Sequence, residues 1–382
     1  MGWGPAPRAQ VLFLHSSSGH YGADRQLVLL ASGLDPDRYR PIVVLPAGEL
    51  ACDLREGGAE VIEGSPAVIS RGAGSPRALA SLAADLVRDG AALGKLIRRR
   101  RVVLVHSNTS VVLSGAAAAA AARVPHVWHV RELYSRHATL WPAYRRVLRT
   151  AAALPCVSWA VAGQFGADPR ARVVYDGLAI DARRAARGPA RAALGLPSDA
   201  PVIAVLGRIS DRKGQDQLVR ALATAPLRDR GAVGVIAGAP RPGAEARRDR
   251  VLALARQLGV EDRLALVGFR EDVETVYGAA DVVAIPSTAP DPLPNTALEA
   301  AGAGCAVVAA AHGGLPEIIR DGETGRLFAP GDAAGLAEVI AELLDDEAQR
   351  DRLGAAAAAD VRVRFDPARL VAETQALYDA VR

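Results

Sequence analysis

The sequence predicts an α/β protein with two consecutive doubly wound domains, each built on a parallel sheet. Short apolar runs alternate with longer helical patterns rich in Ala, Leu and Arg. The runs are continuously apolar, which is typical of strands covered on both faces of a parallel sheet. The alternation pauses at residues 181–200, which are rich in Arg, Ala, Gly and Pro, and then resumes. We therefore expect domains over residues 1–180 and 181–364, facing each other across a ligand cleft, and a last helical segment over residues 365–382.

In the first predicted domain, seven short runs have the composition of strands. They cover residues 11–14, 42–45, 61–63, 102–106, 126–130, 154–157 and 172–174. The segments between them have the length and residue types of helices, as in residues 76–99 and 109–122. Strands and helices are therefore expected to alternate through the whole first half.

In the second predicted domain, five runs are typical of strands, at residues 202–206, 233–237, 264–267, 282–285 and 306–309. Helical patterns separate them at residues 214–223, 244–258, 272–278 and 295–300. The tail is predicted to be all helical, over residues 332–344, 347–364 and 367–381. Pro367 stands where a first-turn proline would open the last helix.

Composition narrows the class of protein. Basic residues exceed acidic ones by four, 46 against 42, and the charges are dispersed along the chain. This excess is too small to indicate nucleic-acid binding, so no nucleic-acid partner is expected. No Cys-x-x-Cys pair occurs, which predicts buried, reduced thiols for Cys52, Cys156 and Cys305. With no signal-peptide pattern and no apolar run long enough for a bilayer, we expect a cytoplasmic protein.

A glycine-containing loop follows the first predicted strand. Gly19 and Gly22 flank its centre, and a helical pattern begins directly afterwards. Such a loop can bring backbone amides close to phosphate or sugar, because it leads into a helix N-terminus. Glycine is also common in ordinary turns between a strand and a helix. The loop therefore has a ligand-binding and a purely structural interpretation.

A histidine ends the fifth predicted strand. His129 lies where the strand ends of such sheets meet the ligand crevice, and a neutral imidazole there can accept a proton or bind a sugar hydroxyl. Glu132 is expected to orient or stabilise this ring. His126, earlier in the same strand, is interpreted instead as a buried structural histidine.

The polar run His106-Ser107-Asn108-Thr109 ends the neighbouring strand. These side chains can contribute to the same wall of the crevice as the histidine that ends the fifth strand. They can equally cap the helix predicted over residues 109–122. Both interpretations stay open from the sequence.

In the second half, the first strand ends at Gly207 and Arg208, and Lys213 and Gly214 open the following helix. The chain has only one other lysine, Lys95. Two cations placed this way can converge on one anion, and a diphosphate needs them because charge develops on its leaving oxygen. The alternative is a solvated basic loop.

A second glycine loop follows the third strand of this half. Gly268 and Phe269 lie there, and their backbone groups can meet the edge of a nucleobase. Asp272 and Glu274 begin the next helix, where acidic residues complement the helix dipole.

Residues 287–317 combine the remaining polar groups. Asp291 lies in a loop before a short helix, and Glu299 lies within that helix. The helix N-terminus favours phosphate because its N–H groups lack intrahelical acceptors and carry partial positive charge; it is formed by Asn295, Thr296, Ala297 and Leu298. Glu299 can bind ribose hydroxyls, and Asp291 can bind hydroxyls of a transferred sugar. A Gly-Gly turn at residues 312–317 opens a further helix.

This set of motifs resembles the family-4 retaining glycosyltransferases of the GT-B fold, also called glycosyl transferases group 1. The resemblance covers nearly the whole chain and is most specific in the second half. There it rests on Gly207-Arg208, Lys213-Gly214, Asp291-x7-Glu299 and residues 313–317. In the first half, residues 22–25 and 129–132 are similar to the family's N-terminal motifs.

The resemblance implies two Rossmann-like domains, with a nucleotide-sugar donor bound mainly by the C-terminal one and an acceptor by the N-terminal one. It also implies that the last helix packs back on the first domain. Arg208 and Lys213 would hold the diphosphate, Glu299 the ribose and Asp291 the donor sugar. No metal or other cofactor is implied, because arginine, lysine and helix dipoles replace the ion.

In the first half, the resemblance implies that His129 contacts the donor sugar near the reacting carbon. Gly19 and Gly22 would lie close to the phosphates. One departure concerns Asp291, which stands where the family has glutamate. Its side chain is one methylene, roughly 1.5 Å, shorter, so the loop must approach the sugar more closely or bind a different hydroxyl.

By this resemblance, the chain is expected to be an enzyme that transfers a hexosyl unit from a nucleoside-diphosphate sugar to an acceptor hydroxyl with retained configuration. A nucleotide-sugar 2-epimerase on the same fold and a catalytically silent nucleotide-sugar-binding subunit are the alternatives. A two-domain dehydrogenase is disfavoured, because the first glycine loop lacks GxGxxG followed by an acidic residue.

Two arginine clusters in the first half suggest a membrane partner. One is Arg98–Arg101, and the other combines Arg145, Arg146 and Arg149 with Trp141 and Tyr144. Either can face anionic lipid beside a lipid-linked acceptor, giving peripheral contact at the inner membrane face. Solvated arginines on helix surfaces are the alternative.

Overall fold

The computed structural model describes residues 8–19, 21–69, 75–134 and 140–382. The chain divides into two compact units. Unit 1 comprises Met1–Ala179 together with Pro367–Arg382, and unit 2 comprises Ile180–Asp366. Each unit carries a parallel sheet with helices, so the predicted α/β fold class is confirmed.

In unit 1, the described residues form a five-stranded sheet of order β3-β2-β1-β4-β5, with every neighbouring pair parallel. Two further strands, β6 and β7, pair in parallel with each other. The strands are β1 Ala9–Leu14, β2 Tyr39–Leu45, β3 Glu60–Glu63, β4 Val102–Ser107, β5 His126–Trp128, β6 Leu154–Cys156 and β7 Ala171–Val173.

The helices of unit 1 connect these strands as parallel pairing requires. They are α1 Gly22–Gly33, α2 Leu50–Glu56, α3 Pro76–Arg100, α4 Ser114–Ala122, α5 Trp141–Leu148 and α6 Trp159–Ala162, and the C-terminal helix α16 Pro367–Val381 also belongs to the unit. The longest, α3, starts with Ser75, whose hydroxyl accepts the Ala78 amide at 3.2 Å, and with proline in its first turn.

The core of unit 1 lies on both faces of its sheet. Val11 and Phe13 of β1 belong to one buried cluster, and Leu12 and Leu14 belong to another. Successive side chains of a strand point to opposite faces, so a strand that is apolar throughout must be covered on both sides. The prediction that residues 11–14 form a strand covered on both faces is therefore confirmed.

The C-terminal helix is an integral part of unit 1. Its Tyr378 hydroxyl lies 2.6 Å from Nδ1 of the buried His106, and the side-chain oxygen of its Gln375 accepts the Asp35 amide at 2.8 Å. Its apolar face joins the cluster around Phe13. The helix thus closes one face of the sheet made by the first half of the chain.

In unit 2, the described residues form a six-stranded parallel sheet of order β10-β9-β8-β11-β12-β13. The strands are β8 Val202–Leu206, β9 Val233–Ala237, β10 Leu264–Gly268, β11 Val282–Ile285, β12 Val307–Ala310 and β13 Arg326–Phe328. The helices are α7 Arg187–Ala193, α8 Gln215–Ala223, α9 Ala225–Arg228, α10 Ala246–Gln257, α11 Val273–Ala279, α12 Asn295–Gly302, α13 Leu315–Ile318, α14 Ala333–Asp345 and α15 Glu347–Arg364.

The structure corrects three expectations. Helix α4 begins at Ser114 with Leu113 as its N-cap, so the helix predicted over residues 109–122 starts five residues later than expected, and the alternative that the preceding polar run caps it is wrong. Strand β13 lies in a segment for which no strand was predicted. Cys52 is exposed on α2, so its predicted burial is wrong, whereas Cys156 and Cys305 are buried free thiols.

No helix in the described part of the chain combines the length and the apolar composition needed to cross a bilayer.

Candidate functional site

The strand order of unit 2 reverses direction between β8 and β11, and the loops after these two strands lie side by side. The Thr288 amide donates to the Arg212 carbonyl at 2.9 Å, and the Thr288 hydroxyl donates to the Asp211 carbonyl at 2.8 Å. Open parallel sheets bind ligands at this kind of switch point, at the carboxyl ends of the strands. The predicted motif residues of the second half follow these two strands.

Gly214 fixes the loop after β8. It adopts φ +72° as the N-cap of α8, and a Cβ at this position would lie 1.7 Å from the Pro286 carbonyl oxygen. No other residue type fits this contact without moving the backbone. The neighbouring Lys213 is therefore held against the loop that follows β11.

Lys213 forms an ion pair within unit 2. Its Nζ lies 2.8 Å from Oδ2 of Asp291, and both side chains are about three-quarters buried. The sequence predicted separate targets for these residues, the diphosphate for Lys213 and the donor sugar for Asp291. The structure brings them into direct contact, so each partly neutralises the other.

The Gly-Gly turn after β12 supports the loop that carries Asp291. Gly313 has φ +61°, and a Cβ there would lie 2.3 Å from the Asp291 carbonyl oxygen. That same oxygen accepts the Gly314 amide at 2.9 Å. The two turns are therefore in backbone contact, which explains why this motif requires glycine.

Helix α12 begins at Asn295, as predicted, and its N-cap Pro294 supplies no side-chain cap. Oδ1 of Asn295 and Oγ1 of Thr296 are buried and have no hydrogen-bond partner among the described residues. A Cβ on Gly207 would lie 3.9 Å from the Thr296 side chain, which places the end of β8 beside this helix start. Polar atoms and a helix N-terminus thus converge where an anion can bind.

The next residues of α12 face inwards. Ala297 and Leu298 are buried in the core, and Glu299 is only 7% exposed. Its Oε2 lies 3.4 Å from the Tyr277 hydroxyl, which donates to it. A buried carboxylate one turn beyond the helix start can accept hydrogen bonds from hydroxyl groups of a ligand. The backbone carbonyl of Arg208 accepts the Gln215 side-chain amide at 3.1 Å, which ties the loop after β8 to α8.

Gly268 and Phe269 lie at the end of β10, on the far side of the same row of strand ends. The Gly268 carbonyl accepts the Gly238 amide at 2.6 Å, which links the ends of β9 and β10. The Phe269 side chain is 66% exposed. An exposed aromatic ring beside a glycine offers an apolar surface for a planar group.

The switch point of unit 1 lies between β1 and β4, and it holds a buried polar network that the sequence did not predict. His15 follows β1, and its Nε2 lies 2.7 Å from the carboxylate of Asp24, with both side chains almost fully buried. Asn108, after β4, donates to Nδ1 of His15 at 3.2 Å and to the Ala23 carbonyl at 3.0 Å. His15 is therefore protonated on Nε2, and its ring joins the two loops.

Asp24 anchors the glycine loop of unit 1. Burial raises the pKa of its carboxyl, but hydrogen bonds from His15 and Ser17 outweigh this effect and hold the pKa below its ordinary value. The carboxylate also accepts the Tyr21 amide at 2.9 Å. A Cβ on Gly19 would lie 3.6 Å from the same carboxylate.

Gly22 is the first residue of α1, so the predicted loop does lead into a helix N-terminus. Gly19, Gly22 and the network around Asp24 therefore belong to one local structure. That phosphate binds at this loop stays a prediction, which follows from the resemblance.

His129 directly follows β5 and is fully buried, and neither ring nitrogen has a hydrogen-bond partner among the described residues. Burial, Arg131 and His106 lower the pKa of His129 well below its usual value, so the ring is neutral. The prediction that Glu132 orients His129 is wrong. Glu132 instead accepts the amide and the hydroxyl of Ser110.

Arg131, beside this histidine, forms a buried ion pair with Asp176. Its Nε donates to the Asn108 carbonyl at 2.8 Å. Burial raises the pKa of Asp176, and Arg131 counteracts that rise. The ends of β4, β5 and the segment after β7 are therefore connected by one cation. His126 is buried and lies 2.9 Å from the Ser107 hydroxyl, as expected of a structural histidine.

Arginines of the two predicted lipid-facing clusters make internal contacts. Arg98–Arg101 lies at the end of α3, where Arg100 pairs with Glu60. Arg149 pairs with Asp168 at 2.7 Å. These contacts explain part of each cluster within unit 1, and lipid contact stays a prediction.

Among the described residues, no group of three or more His, Cys, Asp or Glu side chains is arranged to hold a metal ion.

Two family profiles match the chain. The Glycosyltransferase Family 4 profile matches residues 21–182, and the Glycosyl transferases group 1 profile matches residues 187–360. The first match lies within unit 1 apart from its last three residues, and the second lies within unit 2. Together they cover most of the chain.

Among curated proteins, the D-inositol 3-phosphate glycosyltransferase of Mycolicibacterium smegmatis is 40% identical over 181 residues. The aligned part is 47% of this chain and 41% of that protein, so the chain spans less than half of that relative's length.

Solved structures match over almost the full chain. Anabaena Alr3699/HepE, solved in complex with UDP and glucose, has a TM-score of 0.81 and 27% identity, covering 98% of this chain and 100% of that one. A glycosyltransferase from Rickettsia africae has the same TM-score at 18% identity, covering 98% and 99%. The latter supports the fold alone. With a Family 4 first half, a group 1 second half and this fold, the chain belongs to the GT-B glycosyltransferases.

Proposed function

We propose that this protein transfers a hexosyl unit from a nucleoside-diphosphate sugar to an acceptor hydroxyl, with retained anomeric configuration. The observation that carries the proposal is the convergence of Lys213, Asp291 and the N-terminus of α12 at the switch point of unit 2. The relative crystallised with UDP and glucose shares this fold over the whole chain. The inositol phosphate glycosyltransferase relative supports the same class of reaction.

In the proposed complex, unit 2 binds the nucleotide part of the donor. The diphosphate lies at the start of α12, where Arg208 and Lys213 supply positive charge. As the glycosidic bond lengthens, negative charge grows on the β-phosphate, and these groups stabilise it more strongly than they stabilise the ground state. Glu299 accepts the ribose hydroxyls, and Phe269 packs against the base. The positive groups of the chain take the role of a metal ion, so we expect no metal requirement.

The sugar is assigned to Asp291 and to His129. Because His129 is neutral, it can accept a hydrogen bond from a hydroxyl without carrying charge. The acceptor attacks on the face from which the diphosphate leaves, and the departing phosphate takes the acceptor proton. Gly19 and Gly22 contribute backbone amides to the phosphates.

A thermal-shift screen with UDP-, GDP- and dTDP-sugars tests the donor class. A ligand that binds only the folded protein raises its melting temperature by mass action, with a stabilisation of about 2.7 kcal/mol at one hundred times Kd. We expect stabilisation by one nucleotide series and by its free diphosphate. Absence of a shift with every sugar nucleotide would contradict the proposal.

Product analysis then separates transfer from epimerisation. The stabilising donor is incubated with and without simple hydroxyl acceptors, and its products are identified by mass spectrometry. A transferase forms a glycoside only with acceptor present. Isomerised sugar nucleotide without acceptor would favour the 2-epimerase, and binding without turnover would favour a silent subunit.

A further inference from the structure

His312 lies between β12 and α13, and its ring is anchored on one side. Its Nε2 is 2.7 Å from the Ser287 carbonyl oxygen. A carbonyl oxygen can only accept, so Nε2 must carry the proton of this hydrogen bond. In the neutral ring, Nδ1 is then a bare acceptor.

This acceptor is buried and has no hydrogen-bond partner among the described residues. The hydroxyl of Ser287, the residue whose carbonyl holds the ring, is also buried without a partner within the described part of the chain. Buried polar atoms normally find partners, because leaving one unpaired costs about 1–3 kcal/mol. Two such atoms on touching segments suggest that a ligand completes them.

The ring lies beside the loop that carries Asp291. The next residue, Gly313, touches the Asp291 backbone, and the Asp291 carboxylate binds Lys213. The two ring nitrogens point in different directions, so Nδ1 faces away from the Ser287 carbonyl. His312 therefore lies in the same cluster of loops as Asp291 and Lys213, the residues proposed to bind the sugar and the phosphate.

We propose that His312 determines donor-sugar specificity by accepting a hydrogen bond from a sugar hydroxyl at Nδ1. The inference rests on the proposed function and adds a residue to it. A site that offers a bare acceptor favours a sugar whose hydroxyl points at it over an epimer or deoxy sugar that lacks it, because the acceptor would otherwise stay buried and unpaired. The Ser287 carbonyl keeps the ring in the orientation that presents Nδ1.

Two substitutions separate the nitrogens. His312→Gln places an amide group near the position of Nε2, so it can keep the bond to the Ser287 carbonyl while removing the acceptor at Nδ1. His312→Asn places its amide near the position of Nδ1 and loses the anchor. Glu323→Gln, an exposed change in the same connection between β12 and β13, is the matched control.

The measurement is the ratio of the dissociation constants for UDP and for UDP-glucose, determined by calorimetry with the whole chain. If the thermal-shift screen shows that GDP- or dTDP-sugars stabilise the wild type better, the corresponding nucleoside diphosphate and sugar nucleotide are used instead of UDP and UDP-glucose. We expect His312→Gln to weaken the sugar nucleotide about five- to tenfold relative to the diphosphate, and His312→Asn to keep the wild-type ratio within about twofold.

An unchanged ratio in His312→Gln, or a loss shared by His312→Asn, would overturn the inference and leave His312 an anchor for Ser287. Binding of UDP by all variants keeps the proposed function intact in that case. A wild type that binds no sugar nucleotide would instead contradict the proposed function itself. The two failures are therefore distinguishable.

Discussion

Lys213 shows how an internal ion pair bears on the phosphate-binding role proposed for a residue. Its ammonium group already has an internal anion, the carboxylate of Asp291 at 2.8 Å. A diphosphate arriving at the same cation must share it with this carboxylate. The charge balance of the pair therefore enters the affinity for any anionic ligand.

Opposite effects are expected when the two partners are changed. Lys213→Ala should weaken UDP binding about tenfold or more, because charge-assisted hydrogen bonds are lost. Asp291→Asn should strengthen UDP binding, because the competing charge is removed, while lowering transfer. Calorimetry with UDP measures both, and Asp229→Asn, an exposed acid in another ion pair, is the control. Weaker UDP binding in Asp291→Asn would contradict the competition.

Asp24 should make unit 1 sensitive to acid. Its pKa in the folded protein lies below the usual value, so its contribution to stability is present above the unfolded pKa of about 3.9 and is lost as pH falls through the folded pKa. Asp24→Asn should cost about 1–3 kcal/mol at pH 7 and much less near pH 2.5. Urea denaturation of the wild type and of Asp24→Asn between pH 7 and pH 2.5 gives the difference in unfolding free energy. A difference that does not change with pH would contradict the lowered pKa of Asp24.

For the candidate site, the sequence indicated residue types but not the contacts between them. Asp291, Glu299 and the α12 start were recognisable because their spacing within a short stretch is informative. The pairing of Asp291 with Lys213 joins residues 78 positions apart, and no local pattern encodes such a contact. The sequence did not predict the His15–Asp24 pair, because a single polar residue after a strand has the same local pattern as an ordinary loop residue.

At the scale of elements, the turn around Gly214 determines where Lys213 stands. Gly214→Ala would place a methyl group on the Pro286 carbonyl and hold an unfavourable positive φ, so we expect a loss of more than about 4 kcal/mol in unfolding free energy. Gly231→Ala is the matched control, because Gly231 also has positive φ, +61°, but its Cβ would have no neighbour within 4 Å.

The control should lose only about 1–2 kcal/mol, which is the backbone strain alone. Chemical denaturation monitored by circular dichroism gives both values. Equal losses in the two variants would show that the contact with Pro286 does not hold the loop.

Elements with strong patterns were predictable and weak ones were not. The run 202–206 is apolar throughout and coincides with β8. The β13 strand has only three residues, two of them partly exposed, so it carries no recognisable period. The segment before α4, residues 109–113, includes three β-branched residues, which favour helix weakly, and its Ser110 amide donates to Glu132, so the helix starts later than predicted.

At the scale of the whole molecule, the units differ in continuity. Unit 2 is one uninterrupted stretch, whereas unit 1 needs the returning helix α16. We expect residues 180–366 to fold alone and to bind UDP, because Lys213, Glu299 and the α12 start all lie within them. The affinity should be lower than that of the full chain, because the amides proposed at Gly19 and Gly22 are absent. Circular dichroism and calorimetry on the fragment check this.

A folded fragment that binds no UDP would show that unit 1 supplies an essential part of the nucleotide site. Residues 1–179 provide the complementary comparison, since they lack α16 and leave the apolar cluster around Phe13 open. We expect that piece to be unstable, because the hydrophobic surface and the His106–Tyr378 bond are both lost.

The path of the chain near Gly177 has an evolutionary consequence. A Cβ on Gly177 would lie 2.9 Å from the Cα of Pro367, so the points where the chain leaves unit 1 and returns to it are neighbours. Gln26 holds this place by donating to the Gly177 carbonyl at 2.7 Å and accepting its amide at 3.0 Å. Unit 2, residues 180–366, is therefore an insertion between two neighbouring points of unit 1. An exchange of residues 180–366 between related chains therefore needs only two neighbouring junctions, and under the proposed function it would replace the donor-binding unit and leave unit 1 unchanged.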